Sequence, residues 1–204
     1  MKSMSTLKLL LVFGFSLGGL VVPTAGAYAE GVSSNAEAVN NIEPESTDAM
    51  ASELVLTEEI IKKFYDDATQ VQFEGGEATV NFLEKHTHDD AVNTVMLRTI
   101  RPGSAPEKQK IISDKSKLLE DTKAAYEKGS VESIDTDVMT IDIAEDGQSA
   151  AIVEKTKYVY KLALSETEEV LLKTDQSCDV EILLEENIIK TGDADCTVEV
   201  KIQK

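Results

Sequence analysis

A glutamate stands where a strand would normally offer an apolar side chain. From Ala150 onward, alternate residues read Ile152, Glu154, Thr156, Tyr158, Tyr160 and Leu162, while Lys155, Lys157 and Lys161 fall on the other side. A carboxylate on an apolar face is partly desolvated. That raises its pKa and suits it to act as a general base. The partners of Glu154 follow from register. If Asp146-Gly147 is a two-residue hairpin loop, paired residue numbers total 293, so Ile143 faces Ala150 and Ile141 faces Ile152. Carried on, the same parity sets Met139 opposite Glu154 and Asp137 opposite Thr156. Asp135, Asp137, Tyr158, Tyr160 and Gln176 are then expected to line one face with Glu154, and tyrosine hydroxyls there would polarise a carbonyl oxygen. The competing structural reading places Glu154 where the sheet curves out of its helix cover, or against a lysine such as Lys190.

Other chemistry-bearing residues point less far. His86-Thr87-His88-Asp89-Asp90 has the composition of a metal cluster, and two histidines at i and i+2 reach one ion from an extended segment. The segment falls at a helix end, though, where histidine suits the dipole, and His86 and His88 are the 2 histidines of the chain. A solvated acidic surface explains the carboxylates better than calcium does, because no loop has the spacing of a calcium hand. No glycine-rich phosphate loop or Gly-x-Ser-x-Gly elbow occurs. No metal or cofactor is therefore read from the sequence.

Composition narrows the partners. The chain has 204 residues, with 20 basic and 38 acidic side chains and a formal charge of −18. Nucleic acid is excluded as a partner, since phosphate binding needs clustered Lys and Arg. A hydrophobic content of 42% is too high for a wholly disordered chain. Two cysteines are too few for a disulfide-dense miniprotein or a multi-cysteine zinc site.

Residues 1–29 have the pattern of an export signal. Lys2 and Lys8 precede a mostly apolar run from Leu9 to Val22, Pro23 ends it, and Ala27-Tyr28-Ala29 offers small residues where a signal peptidase reads. Cleavage is expected before Glu30, leaving 18 basic against 38 acidic groups, a formal charge of −20. The apolar run is too short for a spanning helix, and no basic cluster follows it, so no membrane anchor is expected. Residues 30–54 read as a flexible acidic lead, and 55–204 as a single domain. The expected location is the periplasm or the cell exterior.

The elements that must position Glu154 follow from periodicity. Thr57 is a good N-cap, with Glu58 and Glu59 in the first turn. Ile60, Ile61, Phe64, Tyr65, Ala68 and Val71 recur at helical spacing. A second helix is expected from about Glu77 to Lys85, a short strand over Asn93–Ile100 and a loop over 101–106. A third helix starting near Ser113 buries Leu118, Leu119, Thr122, Ala125 and Tyr126 and stops at Gly129. Four strand-like runs follow, about 131–143, 149–163, 170–185 and 188–203, with turns short enough to force an antiparallel meander. The last strand should bring Ile188, Ala194, Cys196, Val198, Val200 and Ile202 to the core.

An oxidising compartment and an even cysteine count predict pairing. If the final hairpin turns symmetrically about Asn187, partner numbers total 374 and Cys178 lies directly opposite Cys196. Cα atoms about 4.5–5.5 Å apart in such a pair are within bridging range.

Helices, a short strand, another helix and a long meander closed by the Ser177-Cys178-Asp179-Val180 and Asp195-Cys196-Thr197-Val198 strands resemble the nuclear transport factor 2-like superfamily, and within it small exported bacterial proteins. The resemblance covers about residues 55–204. It implies an α+β fold, with N-terminal helices packed on a curved, mainly antiparallel sheet around a pocket. Some members of that group are isomerases, dehydratases or polyketide cyclases with an acidic base, others only bind, and many pair through the sheet, so fold does not settle function. Three functions are expected to compete. The first is an exported protein binding a small apolar ligand or a protein partner. The second is an isomerase or dehydratase using Glu154 or a nearby Asp as base. The third is an envelope protein that forms a homodimer through its sheet.

Overall fold

A computed structural model describes residues 54–165 and 167–203. The expected signal segment and nearly all of the acidic lead lie outside the described residues. The order is α1 (Glu58–Glu74), α2 (Gly76–His86), β1 (Val92–Ile100), β2 (Glu107–Asp114), α3 (Lys115–Tyr126), β3 (Gly129–Ile143), β4 (Ser149–Ala163), β5 (Glu169–Glu185) and β6 (Ile188–Gln203). The fold is α+β, with helices packed on one face of a mainly antiparallel sheet, as the sequence predicts. Its strand order is β2-β1-β6-β5-β4-β3, and β1 runs parallel to β6.

Local chemistry explains most element ends. The Thr57 side chain accepts from the Ile60 amide at 3.2 Å, and Ile61, Phe64, Tyr65, Ala68 and Gln72 form the buried face of α1. Gly75, at φ 111°, separates α1 from α2 in a conformation that favours glycine. Asp114 caps α3, its carboxylate accepting from the Lys117 amide at 2.8 Å.

Four expectations about the elements need correction. Residues 107–114 form a strand, so the sheet has six strands and α3 begins at Lys115 rather than near Ser113. β2 is mostly exposed and carries charge on its outward side, which leaves no apolar alternation to mark it. Gly129 does not cap α3; it opens β3, where a Cβ would lie 2.1 Å from the Lys161 carbonyl and 2.7 Å from the Tyr160 hydroxyl.

The third correction is register. Ile143 pairs with Ala150 and Ile141 with Ile152, as the loop predicts, but the ladder then shifts between Val138 and Thr140. Met139 is the extra residue of a β-bulge. Val138, not Met139, therefore faces Glu154, and Thr136, not Asp137, faces Thr156. Met139 is 48% exposed. A second shift lies between Val131 and Ser133.

The final hairpin reaches its expected pairing by an unexpected route. It turns on Glu186 and Asn187, both at positive φ, with Glu185 opposite Ile188. This places Ile189, rather than Ile188, against the core. A bulge between Val180 and Ile182 then adds one residue on β6, and beyond it Cys178 faces Cys196. The two are joined, with Sγ atoms 2.03 Å and Cα atoms 4.1 Å apart.

The two faces of the sheet differ sharply. Ile152, Tyr158, Leu172, Val180, Ile182, Val198 and Val200 are buried on the helix side. Across the outer side, one row of neighbours reads Asp135, Lys157, Asp175, Glu199, Arg98 and Lys108. Arg98 pairs with Glu199 at 2.7 Å, and Lys201 reaches both Asp175 and Glu199. Such a row keeps the outer side in water.

Candidate functional site

Glu154 is completely buried, at 0% exposure. It sits mid-sheet in an inward row that reads Val138, Glu154, Cys178, Cys196, Val95. The next inward row brings Thr136, Thr156 and Gln176 beside it. The Thr156 hydroxyl lies 3.2 Å from that of Thr136. The Gln176 amide nitrogen contacts the Cys178 sulfur at 2.9 Å. The polar strip is thus anchored on the disulfide on one side.

The helix side closes the strip with tyrosines. Tyr65 of α1 turns its hydroxyl toward Glu154. Burial, reinforced by that carboxylate, holds the Tyr65 phenol well above the usual tyrosine range. Tyr158 is raised in the same way, by burial first and by Glu154 second. Both phenols therefore stay protonated at neutral pH, and Tyr65 presents its O–H to the carboxylate. The Tyr158 hydroxyl also lies 3.5 Å from Gln72 Oε1, and the Gln72 amide donates to the Ala68 carbonyl at 3.1 Å.

The residues expected around Glu154 divide. Tyr158 and Gln176 share its face. Tyr160 shares it too, but its hydroxyl donates to the Ala125 carbonyl at 2.6 Å, tying β4 to the end of α3. Asp135 and Asp137 do not share it. The bulge at Met139 turns both to the outward side, opposite Lys157 and Lys155. Tyr65 and Gln72 were missed as site residues. Their signal was helical spacing, since 65, 68 and 72 lie on one face of α1.

Tyr65 reaches both Glu154 and a surface groove. A groove of about 390 Å³ lies between α1 and β3, lined by Lys62, Tyr65, Asp66, Thr69 and residues 134–138 of β3. Asp135 and Asp137 line this groove along with Tyr65. Glu154 is not among the residues that line it.

The histidines are occupied otherwise. His86 stacks on Phe82 at 4.4 Å between ring centres, and its Nδ1 meets the Ile189 carbonyl at 2.7 Å. Burial pushes its pKa below the usual value. His88 pairs with Glu185 at 2.9 Å. Among the described residues, no three His, Cys, Asp or Glu side chains are grouped to hold a metal ion.

No family model matches the chain, and no curated protein matches it. Solved structures do. The chain is similar to the nuclear transport factor 2-like proteins. One such protein, from Shewanella baltica, is 10% identical, with a TM-score of 0.42, and covers 70% of this chain and 97% of its own. A ketosteroid isomerase-like protein from Erwinia carotovora atroseptica is 10% identical, with a TM-score of 0.40, over 70% of this chain and 98% of its own. A conserved protein from Planctomyces limnophilus has a TM-score of 0.46 at 12% identity, over 69% of this chain and 98% of its own.

Proposed function

We propose that this is an exported binding protein for a small molecule, which enters the groove between α1 and β3 and is held through Tyr65 with Glu154 behind it. The observation that carries this reading is the wholly buried Glu154 carboxyl group facing the protonated Tyr65, with Tyr158 nearby. An ionisable group is costly for a fold to bury, and a ligand-binding role explains its retention. Ile134 and Val138 supply apolar contact to the ligand, and the Tyr65 hydroxyl supplies a hydrogen bond to a ligand oxygen once it turns outward. The disulfide supports export. No helix of the described residues is long and apolar enough to cross a membrane.

An isomerase or dehydratase is the second reading, and the same carboxylate favours it. There, Glu154 removes a proton from carbon while Tyr65 or Tyr158 donates to the developing oxyanion. That chemistry requires the Tyr65 ring to swing away, since Tyr65 lines the groove and Glu154 does not. Dimerisation through the outer sheet side finds less support, because a charged row crosses it.

Native mass spectrometry of protein purified from its own host identifies the retained ligand, and calorimetry with that compound measures binding. Glu154→Gln and Tyr65→Phe are each expected to weaken binding at least tenfold, while Glu181→Gln, on the outer side, leaves it unchanged. Equal affinity in all three variants removes Glu154 from the site. Turnover of the ligand that vanishes in Glu154→Gln decides for the enzyme.

A further inference from the structure

The two edges of the sheet are not alike. β3 carries two bulges, and bulges are a common way to stop an edge strand from pairing with another chain. β2 carries none: it pairs with β1 in unbroken register from Glu107 to Asp114. Its free edge is exposed and regular. Beside it lies a small apolar patch on the outward side. Ile112 is 61% exposed, Met96 48% and Val92 42%. Thr94 is the partner of Ile112, so Val92 and Met96 are its diagonal neighbours.

We propose that β2 is a homotypic docking edge, pairing antiparallel with β2 of a second copy about a two-fold axis at Ile111. The occupant follows from self-complementarity. In two-fold antiparallel pairing both copies keep the same side outward, so even residues must face even residues and odd must face odd. An axis at Lys110 opposes lysine to lysine, and one at Gln109 sets Lys108 against Lys110. An axis at Ile111 sets Lys108 against Asp114, Lys110 against Ile112, Gln109 against Ser113, and Ile111 against itself. Opposite charges then meet twice, and the Lys110 stem covers the exposed Ile112. An axis at Ile112 also opposes Lys110 to Asp114, but it overlaps only residues 110–114 before α3 begins. The Ile111 axis overlaps 108–114 and makes more main-chain hydrogen bonds. Joining the edges produces one continuous twelve-stranded sheet, with both sets of helices on the same side and each groove between α1 and β3 at an outer end. An eight-residue edge is a small interface, so exchange between monomer and dimer is expected.

The test traps the register in the full purified chain, whose native cysteines are already paired. Ile111→Cys is expected to form an intermolecular disulfide under mild oxidation, because the residue faces its own copy. Lys108→Cys is expected to stay uncrosslinked, because the two copies of residue 108 lie about 20 Å apart along the strands at ~3.3 Å per residue. Sedimentation of the unmodified protein should show a dimer at high concentration that weakens with salt, as the Lys108–Asp114 pairs are screened. Lys108→Glu should shift it to monomer with unchanged thermal stability. Crosslinking through Ile112→Cys in place of Ile111→Cys overturns the register. Crosslinking through neither, or a monomer at every concentration, overturns the docking edge. None of these outcomes bears on the Glu154 groove.

Discussion

Buried polar side chains here are held by specific neighbours, and His86 shows the consequence for pH. Its ring is half-buried against Phe64 and Phe82, with Nδ1 on a backbone carbonyl. Burial is the leading cause of its lowered pKa. A histidine whose folded pKa lies below its unfolded value of about 6.5 binds fewer protons when folded. Its contribution to stability is therefore fully present above that pH and is lost as pH falls toward the folded pKa. The melting temperature should drop between pH 7.5 and pH 5, and His86→Phe, which keeps the ring stack, should flatten that drop. An unchanged pH profile in the variant would assign the acid sensitivity to other groups. Glu154 differs from His86 in kind. Its place on the inner side was readable from alternation along β4, whereas its tyrosine partner on α1 was not.

Strands and helices meet at a few places with no spare room. Gly129 is one, since its absent side chain lets β3 pass the Lys161 carbonyl and the Tyr160 ring. Any Cβ at that position forces the β3–β4 pair apart and strains the Tyr160–Ala125 hydrogen bond. Gly129→Ala should cost about 2–3 kcal/mol, in the range for overpacked sites, measured as a lowered denaturant midpoint with unchanged slope. Ser130→Ala, at the exposed next position of the same strand, is the comparison and should cost far less. The bulge at Met139 is a second such place. Ile134, Thr136 and Val138 already alternate with Asp135 and Asp137 in the sequence. That pattern put the acids outward, but it conflicts with the parity carried down from the Asp146-Gly147 loop. A bulge is what reconciles the two.

Across the whole molecule, the disulfide fixes the centre of the sheet. It joins β5 to β6 in the inward row that holds Glu154, and β1 completes the row beyond it. Replacing both cysteines by alanine should lower the unfolding free energy by about 2–3 kcal/mol, somewhat under the loop-entropy figure because the hairpin already confines its own loop. Equilibrium denaturation measures it. A loss well below 1 kcal/mol would mean that the hairpin ladder alone carries the register. A double-cysteine variant that still folds should also weaken ligand binding, because Gln176 loses its sulfur contact beside Glu154.

The sequence by itself determined the three helices, the four strands of the meander, the turn at Asp146-Gly147 and the inner side of β4 and β5. These depend on interactions a few residues apart: caps, two-residue turns, and side chains that alternate along a strand. Tertiary structure alone decided that β1 lies parallel to β6, that the polar segment 107–114 becomes an edge strand, and that Tyr65 and Gln72 close over Glu154. Each of those joins segments far apart in the chain, where no local period records the partner and packing selects it. The bulges lie between the two. Their residues sit in plain view, but an extra residue becomes a bulge only when the neighbouring strand fixes what it must face.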